Sequence, residues 1–273
     1  MKRLEGKVAL ITGAGKGIGY GLAKAFANEG CNLVITGRTE SRLLEAQKNL
    51  EEQYHVQVLP IVADGADEEA IAGVVAKAVE KFGRIDTLVN NAQASKSGTM
   101  LVDHTKEDFD LAIYSGLYAT FFYMRSCYPY LKESKGSVIN FASGAGLFGK
   151  LGQSSYAAAK EGIRGLSRVA ASEWGPDGIR VNVICPLAMT ESLEQWRDAY
   201  PELYAKTIQH AGEGILAEKY EQLKKKLEQK GYFSEEHKKQ IPKYVKRVGI
   251  VTAKTGAAIQ DIINISTRRN PYV

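Results

Sequence analysis

Ser143, Tyr156 and Lys160 are the residues in this sequence whose types and spacing best suit the movement of a proton. Ser143 directly follows an apolar, β-rich run, and Tyr156 and Lys160 stand four residues apart where a helix-forming stretch begins. Residues at i and i+4 share a helical face, so the Lys160 ammonium is expected beside the Tyr156 phenol. A neighbouring cation favours phenolate and is expected to bring the tyrosine pKa down from its reference of about 10. Tyr156 then acts as general acid or base towards a substrate oxygen, and Ser143 holds that oxygen by a hydrogen bond as charge develops on it. A Tyr-x-x-x-Lys pair alone is usually an ordinary surface pair; the remainder of the sequence makes this one specific.

The second chemical feature is a glycine turn. Gly13, Ala14, Gly15, Lys16, Gly17, Ile18 and Gly19 separate an apolar run at 8–12 from an Ala-rich helical stretch at 20–29. Glycines permit a tight turn and close backbone approach to a pyrophosphate, which would sit on the positive N-terminus of the helix. The position after a first strand points to a dinucleotide. A carboxylate that would grip the ribose 2′-hydroxyl of NAD is expected about 20 residues on. That place reads Thr36-Gly37-Arg38, with no acid. Arg38 offers a fork matched to phosphate, and Lys16 adds a second positive charge, so NADP(H) is favoured over NAD(H). The plain alternative, two solvated cations, requires coincidence at both places.

The elements that must hold these residues follow from periodicity. Apolar, β-rich runs at 8–12, 32–36, 56–62, 87–90, 138–141 and 181–184 alternate with helix-length stretches of 3.6-residue period. Near-continuous apolar strands separated by crossover helices imply a parallel sheet covered on both faces, a doubly wound α/β fold of Rossmann type. The 273 residues, 44% of them hydrophobic, are enough for one sizeable core. No apolar run approaches the ~18 residues of a membrane span, and a cytoplasmic location is expected. Cys31, Cys127 and Cys185 lack disulfide or zinc spacing and read as plain buried thiols, with no metal site.

The first 210 or so residues resemble the short-chain dehydrogenase/reductase family. The likeness is carried by Thr12-Gly-x-x-x-Gly-Ile-Gly19, Asn90-Asn91-Ala92, Ser143, Tyr156-x-x-x-Lys160 and the stretch from Pro186 to Thr190. It implies hydride transfer between a nicotinamide cofactor and an alcohol or ketone substrate, the cofactor carrying that chemistry. It also implies that Asp64 borders the adenine, that Asn91 and Ala92 line the cofactor, that Lys160 binds the nicotinamide ribose and that Thr190 meets the cofactor. Three positions depart from the family pattern. Gln93 replaces a glycine and is expected either to bind substrate or to point to solvent. Gly116 replaces the asparagine that helps to hold a proton-relay water, a task left to water or Ser115. Leu187 replaces a glycine after Pro186.

Residues 193–209 are expected to form a substrate lid, and beyond them the family pattern ends. The last 63 residues hold 13 Lys/Arg against 7 Asp/Glu, whereas the first 210 hold 23 against 24, so the net charge of +5 lies in the tail. Residues 211–273 resemble part of the exonuclease VII large subunit, through Tyr220-Glu-Gln-Leu-Lys, Gly231-Tyr-Phe, Arg247-Val-Gly-Ile-Val-Thr252, Asp261-Ile-Ile-Asn264 and Arg268-Arg-Asn-Pro271. The chain therefore reads as a fusion. An amphipathic helix over 214–231, a strand over 248–252 and a helix over 256–266 are expected, with that strand pairing beside 181–184 to complete the sheet. One carboxylate, Asp261, without partners does not make a nuclease site, so a DNA-acting protein is the weaker alternative. A cofactor-binding protein without turnover is the other. A homodimer through the helices at 103–131 and 156–174 is expected.

Overall fold

A computed structural model of the chain describes residues 2–186, 191–202 and 204–205. Thr190, Leu187 and all the elements expected over 211–273 lie outside the described residues.

Five of the six expected strand runs begin and end within a residue of the observed strands. They form β1 (Val8–Thr12), β2 (Asn32–Gly37), β4 (Thr87–Asn90), β5 (Ser137–Phe141) and β6 (Arg180–Ile184). The other, β3 (Val58–Val62), starts two residues later than its apolar run suggests. The strands are all parallel, in the order β3-β2-β1-β4-β5-β6. Strand side chains alternate in direction, and β1 shows what this does. Val8 and Leu10 enter one core with Ile71, Val74, Met124 and Leu131, while Ala9 and Ile11 enter the other with Ala23, Ala27 and Leu43. Both faces of the strand are thus dry, which is why it reads as an unbroken apolar run.

Helices α1 (Gly17–Asn28) and α2 (Glu40–Tyr54) contribute to the second core, and α3 (Glu68–Phe82), α5 (Ala119–Ser134) and α7 (Ser154–Trp174) to the first. The face that α1 buries is Gly19, Ala23 and Ala27, small residues that let the helix approach the sheet closely. Helix α3 starts at Asp67, whose carboxylate accepts from the Ala70 amide, and stops at Gly83 with φ of 71°. The single helix expected over 103–131 is broken. Helix α4 (Lys106–Ala112) passes through a π-helical segment, Ile113–Tyr118, before α5 begins. Two short elements flank the site, α6 (Gly144–Phe148) and α8 (Glu191–Ala199).

Asp86 ties the start of β4 to β1. Its carboxylate accepts from the Val8 amide, Lys7 and both ends of the Arg84 guanidinium, at 2.6–3.1 Å. Burial alone would raise its pKa, but these donors together outweigh burial and hold it below the ordinary value.

Candidate active site

In an open parallel sheet the strand order reverses where one helix connection goes each way, and a crevice opens at the carboxyl ends of the strands there. Here β1 and β4 flank that point. A cleft of about 500 Å³ lies above them, and its walls include Gly13, Gly15, Lys16, Gly17 and Ile18 from the first turn.

The turn is built by close contacts that only glycine allows. Gly13 and Gly17 have φ of +67° and +58°. A Cβ on Gly19 would stand 2.3 Å from the Gly13 carbonyl oxygen and 2.6 Å from Asn91 Nδ2. Gly19 is therefore a packing residue beneath the turn, buried, rather than a wall of the cleft. Lys16 precedes α1 as its N-cap without a side-chain cap, and no acid occupies the first turn, so the leading amides of α1 are left to an anion. Across the crevice, Thr12 Oγ1 accepts from the amides of Asn91 and Ala92, and Asn91 Nδ2 donates to the Thr12 and Gly13 carbonyls. Asn91 thus braces the turn as well as lining the cleft.

At the β2 end the walls include Arg38, Thr39 and Arg42, and at the β3 end Asp64 and Gly65. Asp64 is the sole acid among the described lining residues, and its carboxylate already accepts from the Ala66 amide. Arg42 was not among the residues singled out from sequence. It lies in the first turn of α2, and its Cβ stands 3.4 Å from where a Cβ on Gly15 would be. No helical spacing links it to Arg38, which precedes the extended N-cap Thr39 of α2.

Tyr156 and Lys160 line the far end of the same cleft. Ser143, at the end of the β5 loop, caps α6 by accepting from the Ala145 amide at 3.1 Å. Lys160 is 3% exposed and donates to the Phe141 carbonyl at 2.6 Å, with its nitrogen 5.5 Å from the centre of the Tyr156 ring. The expected electrostatics need correction here. Burial raises the Tyr156 pKa, while the Ser143 hydroxyl pulls it down less strongly. Burial also lowers Lys160 to about 7, against a smaller opposing effect of Cys185. The lysine is turned to a backbone carbonyl in a dry environment, so desolvation outweighs the attraction that the spacing suggested. Cys185 itself is exposed, not buried like Cys31 and Cys127.

Of its two expected courses, Gln93 does not take the one to solvent, and it lines the cleft. Both polar atoms of its carboxamide are buried without a protein partner, against Gly116 of the π-helical segment. Ser115 is committed elsewhere, bonded to the Ala94 amide and carbonyl and to the Leu111 carbonyl. The described part of the expected lid includes α8 and Tyr200, whose ring comes within 2.8 Å of where a Cβ on Gly98 would stand. Trp196 packs with Tyr200 and Tyr204 in an aromatic cluster. Among the described residues no cluster of His, Cys, Asp or Glu could hold a metal ion, and no helix is long and apolar enough to cross a membrane.

Comparison with known proteins gives this geometry a family. The chain is 62% identical over 210 residues to a 12alpha-hydroxysteroid dehydrogenase of Clostridium sp., covering 75% of this chain and 81% of that one. It is 39% identical over 198 residues to a 3-oxoacyl-(acyl-carrier-protein) reductase of Thermotoga maritima, covering 71% and 80%. The crystal structure of levodione reductase superposes with a TM-score of 0.70 at 34% identity, covering 76% of this chain and 83% of that one. That of NAD+-bound xylitol dehydrogenase gives 0.66 at 32%, covering 68% and 71%. The Exonuclease VII, large subunit, model matches residues 232–273. The short chain dehydrogenase model matches residues 7–200, and with a parallel six-stranded sheet and these relatives the chain belongs to the short-chain dehydrogenase/reductase family of oxidoreductases, which use a nicotinamide cofactor.

Proposed function

We propose that this chain is an NADP(H)-dependent hydroxysteroid dehydrogenase that interconverts an alcohol and a ketone, with Tyr156 as general acid or base. The observation that carries the reading is one cleft with Lys16, Arg38 and Arg42 at one end and Tyr156 and Lys160 at the other. The bound nicotinamide supplies the hydride donor or acceptor. Gly13, Gly15, Gly17 and Ile18, with the leading amides of α1, hold the pyrophosphate. Lys16, Arg38 and Arg42 hold the 2′-phosphate, since three cations with no acid on β2 reject the bare ribose less than they attract a dianion. Asp64 borders the adenine, and Asn91 and Ala92 support the nicotinamide side; Thr190, which the family likeness implies as a cofactor contact, lies outside the described residues. The steroid assignment rests on the 62% identical relative.

Ser143 holds the substrate oxygen while the Tyr156 hydroxyl exchanges its proton. With its pKa raised, Tyr156 is protonated at neutral pH and is ready to donate to a carbonyl. Alcohol oxidation needs the phenolate, so the oxidative rate rises with pH while the reductive rate falls.

The test is spectrophotometric. Purified protein is mixed with NADP+ or NAD+ and a panel of hydroxysteroids, and reduced cofactor is followed. Turnover with NADP+ well above NAD+, lost on Tyr156→Phe with NADPH binding retained, is expected. NADPH binding without turnover by any alcohol or ketone would leave a cofactor-binding protein, and salt-sensitive DNA binding without NADPH binding would leave the nuclease-like reading. A homodimer through the outward faces of α5 and α7, where Phe121 and Val169 are exposed, completes the proposal. Residues 211–273 we read as a fusion to an exonuclease VII-like segment, supported by the match over 232–273. Detection in the native protein of the tryptic peptide spanning 207–219, which crosses the junction, tests it.

A further inference from the structure

Tyr156 stands in a part of α7 that the helix itself does not hold. It is the third residue of that helix, and the first amides of an α-helix lack partners within it. The preceding Gln153 offers no side-chain cap, and no acid occupies the first turn. Helix ends secured by so little fray readily. Lys160, one turn further on, is anchored separately through the Phe141 carbonyl. A frayed first turn would therefore shift the Tyr156 hydroxyl relative to both Lys160 and Ser143.

His104 meets this turn from outside. It follows the short 3-10 turn Leu101–Asp103 and precedes Thr105, the N-cap of α4. The Gly98 amide donates to the Gly152 carbonyl at 2.8 Å, and Thr99 pairs with Gln153, which brings the loop that carries His104 against the residues before α7. His104 Nε2 lies 2.9 Å from Ser155 Oγ and Nδ1 3.2 Å from Ser154 Oγ, so one ring grips the first two residues of the helix. A neutral imidazole has one N–H and one bare nitrogen, and a hydroxyl serves as donor or acceptor, so both bonds form whichever nitrogen holds the proton. The two bonds are unequal. Ser155 is fully buried, where an unpaired hydroxyl is costly, whereas Ser154 is half-buried and within reach of water.

We propose that His104 is a positioning residue for Tyr156, its ring clamping the first turn of α7 through Ser155 so that the phenol keeps its place beside Ser143 and Lys160. His104 is not among the walls of the cleft, and it acts by holding the start of the helix in register. A displacement of about 1 Å at a reacting atom costs on the order of 100-fold in rate, so a first turn that frays part of the time is expected to cost about tenfold. The kinetic consequence rests on the reading of Tyr156 as general acid or base, and the mechanical one does not.

Side-chain amides separate the two bonds, because glutamine presents its amide where histidine has Nε2, and asparagine where it has Nδ1. His104→Gln thus retains a partner for Ser155, His104→Asn one for Ser154, and His104→Phe neither. The first readout is hydrogen exchange at the Ala157 amide, whose 2.8 Å bond to the Gln153 carbonyl closes the first turn. Its protection is expected to fall about tenfold in His104→Phe and His104→Asn and to stay near that of the wild type in His104→Gln. Ser155→Ala should fall as far, and Ser155→Ala with His104→Phe no further, since each removes the same bond. The second readout is kcat, expected to fall in the same order by about tenfold with KM and NADPH affinity unchanged, a split that general unfolding would not give. Unchanged protection in His104→Phe, additive losses in the double variant, or a loss in His104→Gln equal to that in His104→Asn overturns the proposal. So does loosened exchange with kcat intact. If the wild type turns over no hydroxysteroid, the dehydrogenase reading falls, and hydrogen exchange alone then decides the clamp.

Discussion

Replacing Lys160 by methionine should make the protein without its cofactor more stable while removing its activity, and the gain should shrink as pH rises. The lysine is 3% exposed and burial lowers its pKa from 10.5 to about 7. An unfolded lysine holds its proton up to about pH 10, so between about 7 and 10.5 the unfolded chain binds more protons than the folded one. Stability from this group therefore rises with pH across that window, and the penalty is fully present below 7. At about 1.4 kcal/mol for each tenfold in the proton equilibrium, the penalty is about 5 kcal/mol at pH 6 and about 2 kcal/mol at pH 9. Methionine escapes the penalty but leaves the Phe141 carbonyl without its 2.6 Å partner, which costs roughly 1–3 kcal/mol at either pH. Lys160→Met should thus gain a few kcal/mol at pH 6 and close to nothing at pH 9. The difference between the two pH values, about 3 kcal/mol, is the robust quantity because the carbonyl cost cancels from it. Urea unfolding of both proteins at each pH reads it directly, and thermal melting reads it at roughly 2–4 °C per kcal/mol. Parallel stability curves for the two proteins between pH 6 and 9 would refute the reasoning.

Arg38→Asp should weaken NADPH binding about 10- to 100-fold and leave NADH within a few fold, measured by fluorescence titration; equal losses for both cofactors would mean that the residue meets no 2′-phosphate. Gly19→Ala places a methyl 2.3 Å from the rigid Gly13 carbonyl and should cost roughly 1–3 kcal/mol in urea unfolding, with loss of cofactor binding as the turn shifts. Asp86→Asn should destabilise by roughly 1–3 kcal/mol at pH 7, because Lys7 and Arg84 remain half exposed and re-enter water when their partner loses its charge. Asp86 has a lowered folded pKa, so its contribution is present above the ordinary carboxylate range and is lost as pH falls through the folded value. The wild-type advantage over Asp86→Asn should accordingly narrow in acid, and a constant gap down to pH 3 would count against the assignment.

The sheet was legible from sequence because both faces of each central strand are dry, which turns strands such as 8–12 into unbroken apolar runs. The glycine turn and the Tyr156 and Lys160 pair were legible for a similar reason, since each is a local motif whose spacing is imposed by a single turn or a single helix. Gln93 was not. Its carboxamide and Gly116 are 23 positions apart in the chain and share a volume only after β4 and the π-helical segment are packed, so neither residue announces the other. Arg42 joins Lys16 and Arg38 for the same reason, through the approach of α2 to the first turn. The charges of Tyr156 and Lys160 were misjudged because spacing reports which groups are neighbours and not how much water they keep. The sequence alone determined the fold, the family likeness and the residues proposed for proton transfer. Only the tertiary structure decided that desolvation, a property of everything packed around Lys160, outweighs its nearness to Tyr156.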